Sequence, residues 1–317
     1  MNPPEPPFIT QVRYACPVHK RVLNHGLFCA DCDKYWPAVN GIPVLINDAN
    51  SVFATADYLE TAGAYGGASD YGGHLDRTRG LRQIYRQLMH RLLEMETVPR
   101  EYDVLDALQH VHEHNPNARI LVIGAGDTRY TGNVLYTDVA FGRNVNCIAD
   151  AHDLPFEDRS FDACFACAVL EHVADPARCV GEMERVLEPG GFVFAETPFM
   201  QPVHMGAYDF TRFTLLGHRR LFRRFDELKS GMAGGPATSA AQIMRYAMVS
   251  FASGPKGRKW LRLIGVLLTT PMRWLDYFTR GHPAAFDSAS AFYFFGQMRD
   301  QPISDREILG FFRGAID

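Results

Sequence analysis

The stretch Arg119–Gly126, "RILVIGAG", decides the architecture: an almost continuous apolar run passes straight into a glycine turn. A run of that length without alternation reads as a buried strand, and glycine after it lets the backbone turn tightly with no Cβ in a ligand's way. Outward from it the pattern repeats. "NVLYTDVA" (133–140), "VNCIADA" (145–151) and "FDACFACAV" (161–169) read as second, third and fourth strands. "ARCVGEMERVLEPGG" (177–191) reads as an amphipathic helix ended by Pro-Gly-Gly, and "FVFAETP" (192–198) as a fifth strand. Such alternation implies right-handed crossovers and a parallel, doubly wound sheet. With two more strands at "RRFDELKSG" (223–231) and "SAFYFFGQM" (290–298), the expectation is an α/β fold with a seven-stranded Rossmann-like sheet.

Composition bounds the rest. The 317 residues are 47% hydrophobic and 21% charged, an ordinary balance for a globular chain that can bury a full core. A net charge of −4 lacks the basic excess of nucleic-acid binders. "MNPPEPPFIT" at the start has neither a basic n-region nor an apolar h-region, and seven cysteines is an odd number, so a cytoplasmic setting is expected. The longest strongly apolar stretch, Leu263–Met272, is shorter than the roughly 20 residues that span a bilayer. The chain divides by pattern into 1–50, 51–116 and 117–317, with an insert at about 231–288. The middle part holds a glycine-rich stretch (61–73) and helical patterns near Leu81–Glu96 and Tyr102–His114.

Ligands of such sheets lie over the carboxyl ends of the strands. There stand Gly124, Gly126, Asp138, the run from Asp150 to Phe156, and the end of the fourth strand at Cys167–Val169. Thr128 or Tyr130 replaces the third glycine of a dinucleotide fingerprint, which disfavours a dinucleotide. Asp138, near the end of the second strand, is placed to bind two ribose hydroxyls.

The pieces "ILVIGAG", "IADAHDLPFEDRSFDACF", "AVLEHVADP" and "RVLEPGGFVFAETP", in this order and at these gaps, resemble the class I S-adenosylmethionine-dependent methyltransferases, especially the subgroup like quinone-biosynthesis methyltransferases. The resemblance runs from Ile120 to Pro198, about a quarter of the chain. It implies that Gly124, Ala125 and Gly126 line the methionine part of the cofactor and that Asp138, with Val139 beside it, holds the ribose. It further implies that Asp150, Ala151 and His152 flank the adenine, and that Cys167, Ala168 and Val169 sit near the sulfonium. Val122 stands where the family often has an acid that holds the methionine amino group.

Two C-x-x-[CH] pairs, Cys16/His19 and Cys29/Cys32, lie ahead of this region. Thiolates and an imidazole at this spacing can be presented from two tight knuckles to a tetrahedral zinc ion, and four protein ligands make a structural site. A site that no longer binds metal is the alternative. "YWPAVNGIPVLI" (35–46) adds two apolar runs around an Asn-Gly turn. Cys16–Ile46 resembles the small zinc-ribbon domains found as partners or N-terminal fusions of methyltransferases, and that resemblance implies an accessory role in stability and substrate presentation. Reading nucleic acid is the competing role. Cys164 and Cys167 fall on opposite faces of a strand and cannot share an ion.

Methyl transfer asks the enzyme to align an acceptor and, for oxygen or a protonated nitrogen, to remove a proton. The loop "ETPFMQPVHMGAYDFTRFT" (196–214) offers His204 as a base, with Tyr208 and Asp209 beside it. Arg212 and His172 are candidate substrate-binding groups. Asp209 and Arg212 are also spaced to pair with each other. In the insert, 256–278 combines Lys256, Arg258, Lys259, Arg262 and Arg273 with Trp260, Trp274 and an apolar centre. A helical cap that buries those residues is the favoured expectation; peripheral contact with a membrane surface is the other. The reading is S-adenosylmethionine-dependent methylation of a small or lipid-like acceptor on oxygen or nitrogen, with structural zinc. RNA or protein methylation, or a non-catalytic cofactor-binding scaffold, are the alternatives.

Overall fold

A computed structural model describes residues 12–24, 26–60, 100–126 and 128–315. The glycine-rich stretch 61–73 and the helical pattern Leu81–Glu96 lie outside the described residues. The N-terminal region contributes β1 (Phe28–Cys29), β2 (Lys34–Tyr35), β3 (Ala38–Val39), β4 (Ile42–Leu45) and the short helix α1 (Thr55–Glu60). After α2 (Val104–His114) come β5 (Arg119–Ile123), β6 (Asn133–Asp138), β7 (Cys147–Ala149) and β8 (Phe161–Cys167). The chain continues through α3 (Pro176–Val186), β9 (Leu187–Pro198), α4 (Leu215–Leu221), β10 (Phe225–Gly234), α5 (Pro236–Ser250), α6 (Pro255–Thr269) and β11 (Ala291–Met298).

The seven strands from β5 onward lie in the order β10-β11-β9-β8-β5-β6-β7, with β5 to β9 parallel and β11 antiparallel to both its neighbours. This is the Rossmann-like methyltransferase fold. One expectation is corrected, because the sheet has nine strands. The hairpin β3–β4, turned at Asn40-Gly41 with both residues in the left-handed region, is added beyond β7. β4 pairs parallel to β7 through Val44 opposite Ile148 and Leu45 opposite Ala149. The N-terminal region is therefore part of the sheet.

A second correction concerns α3. Asp175 caps it by accepting from Arg178 N, Pro176 opens it, and it stops at Val186 rather than at Pro-Gly-Gly. "LEPGG" is extended and begins β9, because Leu187 is already registered against Phe161 of β8.

Two layers cover the sheet. One buries Leu121, Cys164, Val193 and Phe294 against α3 and α4; the other buries Ile120, Val122, Phe165 and Phe194 against α2. Cys164 and Cys167 do fall on opposite faces. No helix among the described residues is long and apolar enough to cross a membrane. The expectation that the insert buries its apolar residues is overturned. On α6 only Gly265, Val266 and Thr269 are buried, while Trp260 is 66% and Leu268 61% exposed. Pro271 divides the segment into α6 and a 3-10 turn over Pro271–Leu275.

Candidate active site

The carboxyl ends of β5, β6, β7 and β8 open on one narrow cleft. Gly124, Asp138, Val139, Asp150, Ala151, His152, Val169 and His172 line it. Ala125, Gly126, Cys167 and Ala168, also named from sequence, are not among the lining residues. The cleft is narrow, with a cavity of about 30 Å³, so the walls lie close together. Gly124 has a φ of +65°, and a Cβ on it would meet Val169 Cγ2 at 2.4 Å. The turn after β5 thus requires glycine for its own backbone and for the approach of Val169.

Asp138 is buried at the end of β6 and ties down the glycine turn: its Oδ2 accepts from Gly126 N at 2.8 Å and its Oδ1 from Ala140 N at 2.8 Å. Burial lifts its carboxyl above the ordinary range, against the pull of those N–H donors. Asp150 caps a 3-10 turn over Ala151–Asp153 and takes His152 N at 2.9 Å and the His152 ring at 2.6 Å. Burial would raise the Asp150 carboxyl, but these bonds and the Ser51 hydroxyl hold it below the ordinary range. His152 also accepts Asp175 N at 3.0 Å, so its ring is locked between two loops.

Four contributors were not read from sequence. Ser51, Val52 and Phe53 reach the cleft because β4 is parallel to β7, so the chain leaving β4 emerges on the same edge as the other loops. Phe53 also stacks on Tyr208, with ring centroids 5.5 Å apart. The fourth is Glu171, fully buried in the turn after β8. An acid between apolar Leu170 and His172 was the available signal.

Glu171 centres a second group of side chains beside the cleft. Its backbone carbonyl accepts Phe210 N at 2.8 Å and Thr211 N at 3.2 Å, which brings the loop after β9 alongside the loop after β8. His172 and His204 meet edge to face with centroids 4.7 Å apart, and each presents Nε2 at 3.7 Å from Glu171 Oε1. Asp209 accepts His204 N at 2.7 Å and pairs with Arg212 through both oxygens. Burial would raise the Asp209 carboxyl, and Arg212 brings it below the ordinary range. The Glu171 carboxylate raises the imidazole of His204 above its usual value.

Cys16 Sγ, His19 Nδ1, Cys29 Sγ and Cys32 Sγ lie within 4.8 Å of one another. Cys16 and Cys32 are 3.6 Å apart, and Cys29 Sγ is 3.8 Å from His19 Nδ1. Zinc about 2.0–2.3 Å from each ligand requires separations of this size, so the donor set fits the ion. Burial and then Cys16 and Cys29 push Cys32 up to about 12, whereas burial of Cys29 is outweighed by hydrogen bonds from the Cys32 backbone, His19 and the two other thiols, which bring it down to about 7. The knuckle is fastened to the turn after β7 and to α3 by Lys20, whose Nζ is 3.1 Å from Asp153 Oδ1 and 2.9 Å from Glu182 Oε2.

Comparison with known proteins agrees with this geometry. Residues 132–195 match a family model described as a methyltransferase domain, which covers the loops from β6 to β9. The chain is 37% identical over 83 residues to an uncharacterised 37.1 kDa protein in transposon TN4556 of Streptomyces fradiae, covering 24% of this chain and 22% of that one. It is 37% identical over 82 residues to the ubiquinone/menaquinone biosynthesis C-methyltransferase UbiE of Hahella chejuensis, covering 25% and 33%. The chain thus spans a third or less of the length of these relatives. Among solved structures, a phosphoethanolamine N-methyltransferase of Haemonchus contortus is 14% identical, covers 68% of this chain and 57% of its own, and has a TM-score of 0.40. That likeness is too slight to bear on function. The strand order and the matched segment together define a methyltransferase-type domain built on β5–β11.

Proposed function

We propose that this protein transfers a methyl group from S-adenosylmethionine to a small or lipid-like organic acceptor. The observation that carries the reading is the meeting of Gly124, Asp138, Asp150, His152 and Val169, from four strand ends, on one cleft. The residues fit the cofactor: a buried carboxylate sits at the end of β6, a glycine turn with no Cβ lies beside it, and small residues edge the adenine position. Bound S-adenosylmethionine would supply an electrophilic methyl group on sulfur. Asp138 would accept the ribose hydroxyls while still holding Gly126 and Ala140. Val139, Ala151 and His152 would bound the adenine, with Asp150 keeping that turn in shape. Cys167, Ala168 and Val169 would face the sulfonium, near Gly124–Gly126 and the methionine end. Cys16, His19, Cys29 and Cys32 would hold zinc as a structural ion.

His204, Tyr208, Asp209, Arg212 and His172 form the acceptor side of this reading. A cavity of about 460 Å³ between the insert and β10–β11, lined by Glu196, Gln201, Thr238, Gln242, Arg273 and Ser290 and by none of those five residues, would extend the space open to a larger acceptor. Glu196 is registered beside Cys167 across β9 and β8, one strand from the cleft. A lipid-like acceptor is supported by the exposed face of the insert. Trp260, Leu267, Leu268, Trp274 and Phe278 are all more than half exposed, with Lys256, Arg258, Lys259 and Arg262 on the same segment. Apolar side chains flanked by cations suit an anionic membrane surface.

Calorimetry with S-adenosylmethionine tests the cofactor assignment. One site is expected, weakened about 10- to 100-fold in Asp138→Asn through loss of charge-assisted hydrogen bonds. A folded protein that binds no cofactor would end this reading. For the membrane face, sedimentation with phosphatidylglycerol vesicles should fall sharply in a Trp260→Ser/Leu267→Ser double variant. Equal recovery of both proteins with vesicles would remove that part.

A further inference from the structure

We propose that Glu171, His172 and His204 form a second metal site, for a divalent first-row transition ion, at the acceptor side of the cleft. Glu171 is fully buried, and neither of its carboxylate oxygens has a hydrogen-bond donor among the described residues. A buried carboxylate without donors is costly and is met in proteins by a cation or a metal. What faces it is two imidazoles. His172 Nδ1 lies 2.7 Å from the carbonyl oxygen of Tyr208, and a carbonyl only accepts, so Nδ1 carries the proton. In the neutral ring the lone pair is then on Nε2, aimed at Glu171 Oε1 from 3.7 Å.

His204 repeats the arrangement from the other loop. Its Nε2 is 3.7 Å from the same oxygen, and its Nδ1 faces Asp209 Oδ2 at 3.5 Å. Arg212 Nη2, which can only donate, also lies 3.3 Å from that Nδ1, so an ion at Nε2 would move the ring proton to Nδ1, where Asp209 rather than Arg212 accepts it. Three ligand atoms within 4.8 Å of one another are spaced as ligands at about 2.1 Å from one centre would be. A carbonyl and a carboxylate behind the rings are the outer partners that orient metal-binding histidines. Two histidines and one carboxylate select nitrogen- and oxygen-liking ions such as Zn²⁺, Mn²⁺, Fe²⁺ or Co²⁺, and they leave coordination positions open.

The site stands on this geometry alone; its role rests on the methyltransferase reading. His172 lines the proposed cofactor cleft, so an open position on the ion would face that cleft. The matching acceptor is an oxygen compound, a hydroxyl or enol. The ion would lower the acceptor's pKa and fix its direction. The acceptor proton goes to solvent, the oxygen pair forms the new C–O bond, and sulfur keeps the pair of the broken C–S bond.

The test uses the whole protein with its ribbon zinc quantified and retained, titrated with Co²⁺ and followed by visible absorption and metal count. One further Co²⁺ per chain is expected, with no thiolate charge-transfer band. It should be lost in His204→Ala, which changes a partly exposed loop residue, and in Glu171→Gln, with ribbon zinc unchanged. Asp209→Asn should weaken it about 10-fold or more. No ion beyond the ribbon's, or a thiolate band showing that Co²⁺ has only exchanged there, overturns the proposal, as does full retention in both ligand variants. Calorimetry with S-adenosylmethionine on the same samples separates the two readings: cofactor binding without the second ion sinks this site alone. A second ion without cofactor binding sinks the methyltransferase reading alone.

Discussion

The two clusters among the described residues that could hold a metal ion are built in opposite ways. Cys16, His19, Cys29 and Cys32 come from two knuckles within seventeen residues, and four soft donors close the coordination sphere. Glu171 and His172 come from the loop after β8, and His204 comes from the loop after β9 more than thirty residues on. Three donors leave that sphere open. A local, closed set suits an ion that holds a fold together, whereas a set assembled by the sheet, with room for another ligand, suits chemistry. The placement of each agrees. The first lies beside β4 at the far edge of the sheet, and the second opens on the cleft over the strands' carboxyl ends.

The largest effect that could break this contrast is removal of the ribbon ion. Because β4 is paired with β7 and Leu45 packs with Cys16, Cys29 and Cys147, loss of the ribbon should reach the sheet. Chelation or Cys29→Ser is expected to lower the Tm by about 10 °C or more, a loss of several kcal/mol for a chain of this size. Differential scanning calorimetry checks it. A Tm unchanged by verified zinc removal would show that the four ligands do not carry the fold. His204→Ala, by contrast, should leave the Tm within about 2 °C.

A smaller effect measures how the ribbon is fastened. Lys20 holds two acids with little exposure, and Lys20→Met should cost about 1–2 kcal/mol in urea unfolding. The same pair sharpens the contrast by pH. Burial pushes the Asp153 carboxyl up, and Asn50, Lys20 and Arg178 together bring it below the ordinary range. A carboxyl depressed in the folded state gives stability that is complete above an unfolded pKa of about 4 and is lost as pH falls through the folded value. Stability measured at about pH 6, 4 and 3 should therefore fall less steeply in Lys20→Met than in the parent. Parallel curves would place the acid sensitivity elsewhere.

Reading the sequence failed where local pattern and tertiary pairing pull apart. "LEPGG" carries helix-ending residues, yet it is strand, because Leu187 pairs with Phe161 and the ladder outweighs the local signal. The apolar residues of α6 follow helical spacing, which fits a buried cap as well as an exposed face. Only the packing of α6, which buries Gly265, Val266 and Thr269, shows that Trp260 and Leu268 stay in solvent. Asp209 and Arg212 pair as their spacing suggested, but Glu171 behind His204 lay in a different loop and had no spacing to betray it.

By itself the sequence determined the seven strands from β5 onward and the loops that bear the proposed cofactor residues. Apolar runs of strand length, glycine after β5 and an acid after β6 are properties of short segments, and each segment's burial preference survives in any context. It also brought Cys16, His19, Cys29 and Cys32 together, because these four are neighbours along the chain. Tertiary structure alone decided that β4 enters parallel beside β7, which puts Ser51 and Phe53 on the cleft's edge. It alone decided that Glu171 would face two histidines from separate loops. Both are meetings of segments far apart in sequence, fixed by hydrogen-bond ladders and by two backbone N–H bonds to the Glu171 carbonyl, and no residue pattern encodes such distances locally.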